Sequence, residues 1–164
     1  MPRAWVFGED LDTDQIVPGR YAPFMVGADK SHTYAFCDAR PEFAKTVRPG
    51  DVLVGGENFG CGSSREYAAA ALAKHGVGAV VAKSFARIFF RNCVNLGIPV
   101  IESAEALAVV RDGDPVELDL RAGTLTAPGG VARLRPLPSF AQAILAAGGV
   151  VAYLREHGDL PAVR

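Results

Sequence analysis

The chain has 164 residues, 17 Lys and Arg against 18 Asp and Glu for a formal net charge of -1, and a hydrophobic fraction of 49% with 21% charged. That length suits one domain around one core, and the composition is neither that of a disordered chain nor that of a membrane-embedded one. A balance this close to neutral excludes the whole-molecule field that draws in nucleic acid or an anionic membrane, so any affinity for anions must be local.

The first ten residues, MPRAWVFGED, lack the basic patch, apolar run and small-residue cleavage site of a secretory signal, and the expected location is the cytoplasm. Ala4 to Phe7 read as a short strand running into DLDTDQIVPGRY, where Pro18 and Gly19 punctuate a loop. Asp10, Asp12 and Asp14 are candidate metal ligands by residue type, but their spacing is that of an extended segment and the rest of a calcium loop is missing, so turn formation with side-chain-to-backbone bonding is the expected role. From Ala22 to Lys45 no clean period emerges, and a long ordered loop with a short helix is expected.

The pattern sharpens at VRPGDVLVGG, where Val52 to Val54 form a strand that passes through a glycine-rich loop into the helix REYAAAALAKHG, with Gly76 as its stop. VGAVVAKS then reads as a strand, FARIFFRNCVNLG as a helix or broken helix ending at Gly97, and IPVIES as another strand. This is β-α-β alternation, and the uniformly apolar strands predict a sheet covered on both faces. Beyond Ser103 come a short helix in SAEALAVVRDG, three strands of a meander in VELDL, TLTAP and VARLRPL, and two closing helices in SFAQAILAAGG and GVVAYLREHG. The whole is expected to be a single α/β or β/β/α domain over residues 1–164.

The chemistry concentrates in GGENFGCGSSREYAAAAL. A strand enters glycines and serines just before a helix, whose first backbone N–H groups lack partners and carry partial positive charge, while Gly60 and Gly62 permit close approach of an anion. Ser63 to Glu66 also match a capping box in which Ser63 and Glu66 satisfy those groups reciprocally. Capping leaves Arg65 unexplained, because an arginine in the first helical turn opposes the helix dipole but suits bidentate carboxylate binding. The dinucleotide glycine fingerprint, the P-loop lysine and the nucleophile elbow are all absent. In KSFARIFFRN, Ser84 is placed to cap the next helix, and Arg87 and Arg91 lie one turn apart as a solvated face. Cys37, Cys61 and Cys93 are far apart without CxxC spacing, which fits reduced thiols, and the dispersed His32, His75 and His157 read as surface or structural; no residue is assigned to a metal.

Taken in order, DLDTDQIVPGRY, GENFGCGSSREYA and AKSFARIFFRNCVNLGIPVIE resemble the small subunits of isopropylmalate dehydratases and the related homoaconitases, in the aconitase superfamily, over Trp5 to about Glu102. The resemblance implies a swivelling β/β/α domain and a hydro-lyase of amino-acid biosynthesis, active with a large subunit that carries a 4Fe-4S cluster, with no cofactor on this chain. By position it implies Ser63 as the base that removes a proton next to a carboxylate, Ser64 and Arg65 as substrate-binding residues, and Tyr21 and Phe24 within the loop that selects among small 2-hydroxy di- or tricarboxylates. Tyr21 to Met25 resemble the loop of bacterial homoaconitases, yet Phe24 and Met25 equally suit an isopropyl group. Isomerisation of 2-isopropylmalate is the leading expectation; a homocitrate-type substrate and a non-catalytic carboxylate-binding module are the alternatives.

Overall fold

The computed structural model describes residues 1–162. In chain order, β1 (Ala4–Val6) is followed by the short helices α1 (Thr13–Ile16), α2 (Pro23–Val26) and α3 (Phe43–Thr46), then β2 (Val52–Gly55), α4 (Glu66–Lys74), β3 (Ala79–Ala82), α5 (Arg87–Asn95), β4 (Val100–Glu102) and α6 (Ala106–Val109). The strands β5 (Glu117–Asp119), β6 (Thr124–Ala127) and β7 (Gly130–Arg133) precede α7 (Ser139–Ala146) and α8 (Val150–His157).

The four apolar runs β1 to β4 lie side by side in sequence order, all parallel, with Trp5 opposite Leu53 and Leu53 opposite Val80. Connections between neighbouring parallel strands are right-handed in nearly all proteins, so a sheet that always advances in one direction receives its crossover helices on one face. Side-chain alternation shows this. Leu53, Val80, Ala82 and Val100 pack with Leu72, Phe89, Cys93 and Ile144 of the helices. Their neighbours Val52, Val54, Ala79, Val81 and Ile101 pack the other way, against Val116, Leu125 and Ala132. That second face is covered by α6 and by the antiparallel meander β5-β6-β7. Helices, parallel sheet and antiparallel sheet form the layers of a β/β/α fold.

Asp51 fastens the start of β2 to β1: its buried carboxylate accepts from Arg3 N (3.1 Å), Arg3 Nε (3.3 Å), Trp5 Nε1 (3.0 Å) and Arg48 N (3.0 Å). Burial alone pushes this carboxyl up, but the donors from Arg48, Arg3 and Trp5 win and hold it below its ordinary value. Gly76 (φ +72°) and Gly97 (φ +83°) follow α4 and α5 in the left-handed region, as expected of helix stops. The stretch from Ala22 to Lys45 is richer than one short helix, with α2, α3 and a 3-10 turn at Ser31–Tyr34. It is anchored by fully buried Phe36 and Phe43, Phe36 stacking on Phe7 at 4.5 Å. Among the described residues no helix is long and apolar enough to cross a membrane.

Candidate active site

Each of the three motifs is the loop that leaves the C-terminal end of a parallel strand: residues 8–21 follow β1, 56–65 follow β2 and 83–86 follow β3. Parallel pairing therefore delivers all three to the same end of the sheet, where open α/β folds bind their ligands. Backbone bonds then knit them together. Gly60 N donates to Leu11 O (2.7 Å), Thr13 N to Cys61 O (2.8 Å), Phe59 N to Ser84 O (3.0 Å) and Ala86 N to Phe59 O (3.0 Å). Gly60 has φ +81°, and a Cβ there would lie 2.1 Å from Phe89 Cγ, so helix α5 approaches the loop as closely as it does only because the residue is glycine.

The serine-arginine segment departs from the capping box. Helix α4 begins at Glu66, with Arg65 as the N-cap in extended conformation and no side-chain cap bond. The Thr13 hydroxyl pins Ser63 O (2.8 Å) and Gly62 turns at φ +94°, which holds Ser63 too far back to reach the helix amides. Instead Ser63 Oγ accepts from Arg65 Nε at 2.6 Å. Arg65 Nη1 donates to Asp14 Oδ1 (2.7 Å) and Tyr67 Oη (3.0 Å). Asp14 Oδ1 also receives Gly19 N (2.9 Å), so the aspartate is itself fixed. Asp12 caps α1, its carboxylate accepting from Asp14 N (2.7 Å) and its N–H donating to Gln15 Oε1 (2.8 Å), the backbone role expected of this acidic run. Asp14, expected from the sequence to serve the turn, does so through Gly19 N and also holds Arg65. Tyr67 is a partner the sequence reading does not name; its signal is a tyrosine two places beyond the lone arginine.

A cavity of about 180 Å3 opens at this junction. It is lined by Gly62, Ser63, Ser64 and Arg65 from the second motif and by Arg87, Ile88 and Asn92 from the third. The third motif thus joins the site, although Ser84 does not cap its helix: α5 has Ala86 as N-cap with no side-chain bond, and Ser84 Oγ accepts from Asn58 N at 2.7 Å instead. Tyr21 and Phe24 do not line the cavity. Tyr21 stacks on Tyr34 (3.9 Å), and Phe24 and Met25 stand 82% and 62% exposed on α2. Arg20 is paired with Asp38 at 2.5 Å.

The remaining chemistry-bearing residues stay apart. Cys37, Cys61 and Cys93 are free thiols, each pushed up by burial, with Asp38 adding to this at Cys37 and Asp12 at Cys61. His75 Nε2 lies 2.7 Å from His32 O, and the two rings meet edge to face at 5.3 Å. His157 is exposed on α8. Among the described residues no group of three or more His, Cys, Asp or Glu is placed to hold a metal ion.

Comparison with known proteins bears on this geometry. Residues 13–106, which include the residues lining the cavity, match the family described as the aconitase C-terminal domain. The chain is 56% identical over 161 residues to the homoaconitase small subunit of Thermus thermophilus, covering 98% of this chain and 99% of that protein. It is 50% identical over 161 residues to the 3-isopropylmalate dehydratase small subunit 1 of Deinococcus radiodurans, covering 98% and 90%. The crystal structure of 3-isopropylmalate dehydratase from Methanocaldococcus jannaschii aligns with a TM-score of 0.88 at 40% identity, over 96% of this chain and 93% of that one.

Proposed function

This chain belongs to the aconitase C-terminal domain family, and from that premise we propose that it is the small subunit of a heteromeric hydro-lyase that interconverts 2-isopropylmalate and 3-isopropylmalate by dehydration and rehydration. The observation that carries the reading is the bond from Arg65 Nε to Ser63 Oγ at 2.6 Å, at the mouth of a cavity of about 180 Å3.

Elimination needs a base for a proton on the carbon next to a carboxylate, and a serine hydroxyl is ordinarily too weak an acid to serve as an alkoxide. A guanidinium donating into the same oxygen stabilises the ionised form. Asp14 and Tyr67 hold that guanidinium in place from its far end. In this reading Ser63 is the base, while Ser64 and the unengaged edge of Arg65 receive the adjacent carboxylate. An alkoxide also requires a dry site. Ser63 and Ser64 are exposed here, so the cover must come from another chain. That partner is proposed to be a large subunit bearing a 4Fe-4S cluster, which when bound supplies Lewis-acid assistance to departure of the hydroxyl. Tyr21 and Phe24 belong to the loop that meets the substrate's variable group. Its exposed Phe24 and Met25 suit an isopropyl group. A second reading, a homocitrate-type substrate, is favoured by the 56% identity to the Thermus homoaconitase small subunit.

Co-expression with the cluster-bearing large subunit and anaerobic reconstitution tests both. Hydration of the unsaturated isopropylmalate, homoaconitate and cis-aconitate intermediates is expected only from the pair, fastest for the first. Ser63→Ala in the assembled enzyme is expected to lower kcat by about 10²–10⁴-fold, the usual contribution of a general base, with an unchanged melting profile. Wild-type turnover by that variant removes Ser63 from the chemistry.

A further inference from the structure

We infer that Arg87 is the second carboxylate-binding residue of this site, the one that holds the substrate carboxylate remote from Ser63; the inference rests on the hydro-lyase reading above and names a residue for it. The argument begins with charge. Arg65 is the cation beside the serines, but Asp14 pairs with it at 2.7 Å, so that pair presents no net positive charge. A 2-hydroxy dicarboxylate brings two negative charges. Arg87 lines the same cavity, and among the described residues its side chain makes no ion pair and no hydrogen bond. It is exposed, so burial does not explain its presence.

Folding does not explain it either. Arg87 is the first residue of α5, where a cation opposes the helix dipole. Asn92 lines the same cavity and offers a neutral amide. Arg91, one turn along the helix, does not line the cavity and provides an internal control. A guanidinium fork lining a cavity that a serine-arginine pair also lines matches a ligand with carboxylates at both ends.

The test uses the reconstituted two-subunit enzyme with Arg87→Ala, Arg87→Lys and Arg91→Ala. Arg87→Ala is expected to raise KM about tenfold or more, the loss of one charge-assisted contact, with kcat changed by less than about threefold. Arg87→Lys keeps the charge but not the fork and is expected to recover only part of the affinity, and Arg91→Ala matches wild type. The preference for succinate over butyrate as competitive inhibitors is expected to fall about tenfold in Arg87→Ala, which a merely structural role does not produce. An unchanged KM and inhibitor preference overturns the inference while leaving the hydro-lyase reading intact. Failure of Arg87→Ala to assemble with the large subunit also overturns it, by making Arg87 an interface residue. Absence of turnover in the wild-type pair instead removes the hydro-lyase reading, and this inference with it.

Discussion

The parallel sheet and the antiparallel meander satisfy their loops in opposite ways. In the meander the turn after β5 is closed locally, Asp119 Oδ1 accepting from Arg121 N (3.0 Å) and Ala122 N (2.9 Å). At the C-terminal end of the parallel sheet the loops are satisfied by one another: Thr13 reaches Ser63, Asp14 reaches Arg65, and Asn58 reaches Ser84. Antiparallel strands can be joined by a tight turn that needs nothing else, whereas parallel strands return through long crossovers. The crossover loops have many polar groups to satisfy, and their partners lie in distant sequence. Such wiring brings chemistry together, and it makes the site end sensitive to changes that the meander absorbs.

Gly60→Ala is expected to have the largest effect on the fold. Its φ of +81° already disfavours a side chain, and the new Cβ would lie 2.1 Å from Phe89 Cγ and 2.4 Å from Phe89 Cβ. Left-handed strain and overpacking together are expected to cost about 4 kcal/mol. Because Phe89 lines the cavity, activity of the assembled enzyme should fall with it. Chemical denaturation of the chain and turnover of the pair measure the two effects; a loss below about 1 kcal/mol would show that the loops are not pinned as described.

Asp51 extends the comparison to the other end of the parallel sheet, where Arg3 and Trp5 are again reached from distant sequence, 48 and 46 residues away. Asp51→Asn replaces an acceptor oxygen by a donor among converging N–H groups and is expected to cost about 2 kcal/mol. The sign with pH follows from a folded carboxyl held below its unfolded value. Its contribution is present above the ordinary carboxylate range, near pH 4, and is lost as pH falls through the lower folded value. The variant should therefore show a flatter acid limb in a stability profile between about pH 5 and 2. Asp112, half-exposed and also held low by the Arg40 guanidinium and Val6 N against partial desolvation, leaves a residual slope. An unaltered acid limb would mean that Asp51 does not carry it.

Much of this fold was legible because its signals are local. The apolar runs at Val52–Val54 and Ala79–Ala82 and the glycines after α4 and α5 fix strand, helix and stop without reference to anything distant. The glycine-rich turn with Ser63, Ser64 and Arg65 was legible as chemistry for the same reason. What local pattern missed depends on register. Ser63 and Ser84 both read as helix caps, yet each helix starts two residues later than that role requires, and the hydroxyls instead accept from Arg65 and Asn58. Arg87 read as a solvated face, which is accurate for its helix alone. Only the pairing of β2 with β3 turns that face toward Arg65.

Gly123→Ala is the smallest effect expected and the most direct contrast with Gly60. Both glycines have positive φ, +69° for Gly123, so both lose the same backbone freedom when a side chain is added. At Gly123, however, the nearest atom to the new Cβ is Leu134 O at 3.6 Å, an ordinary contact. Only the conformational penalty remains, about 1 kcal/mol, and kcat and KM of the assembled enzyme should not move. If Gly123→Ala instead lowered turnover, the meander would be coupled to the site through the strands of the parallel sheet, and the division of labour between the two sheets would fail. If both substitutions cost the same, the difference between the regions would lie in the backbone and not in the crowding of Gly60 against Phe89.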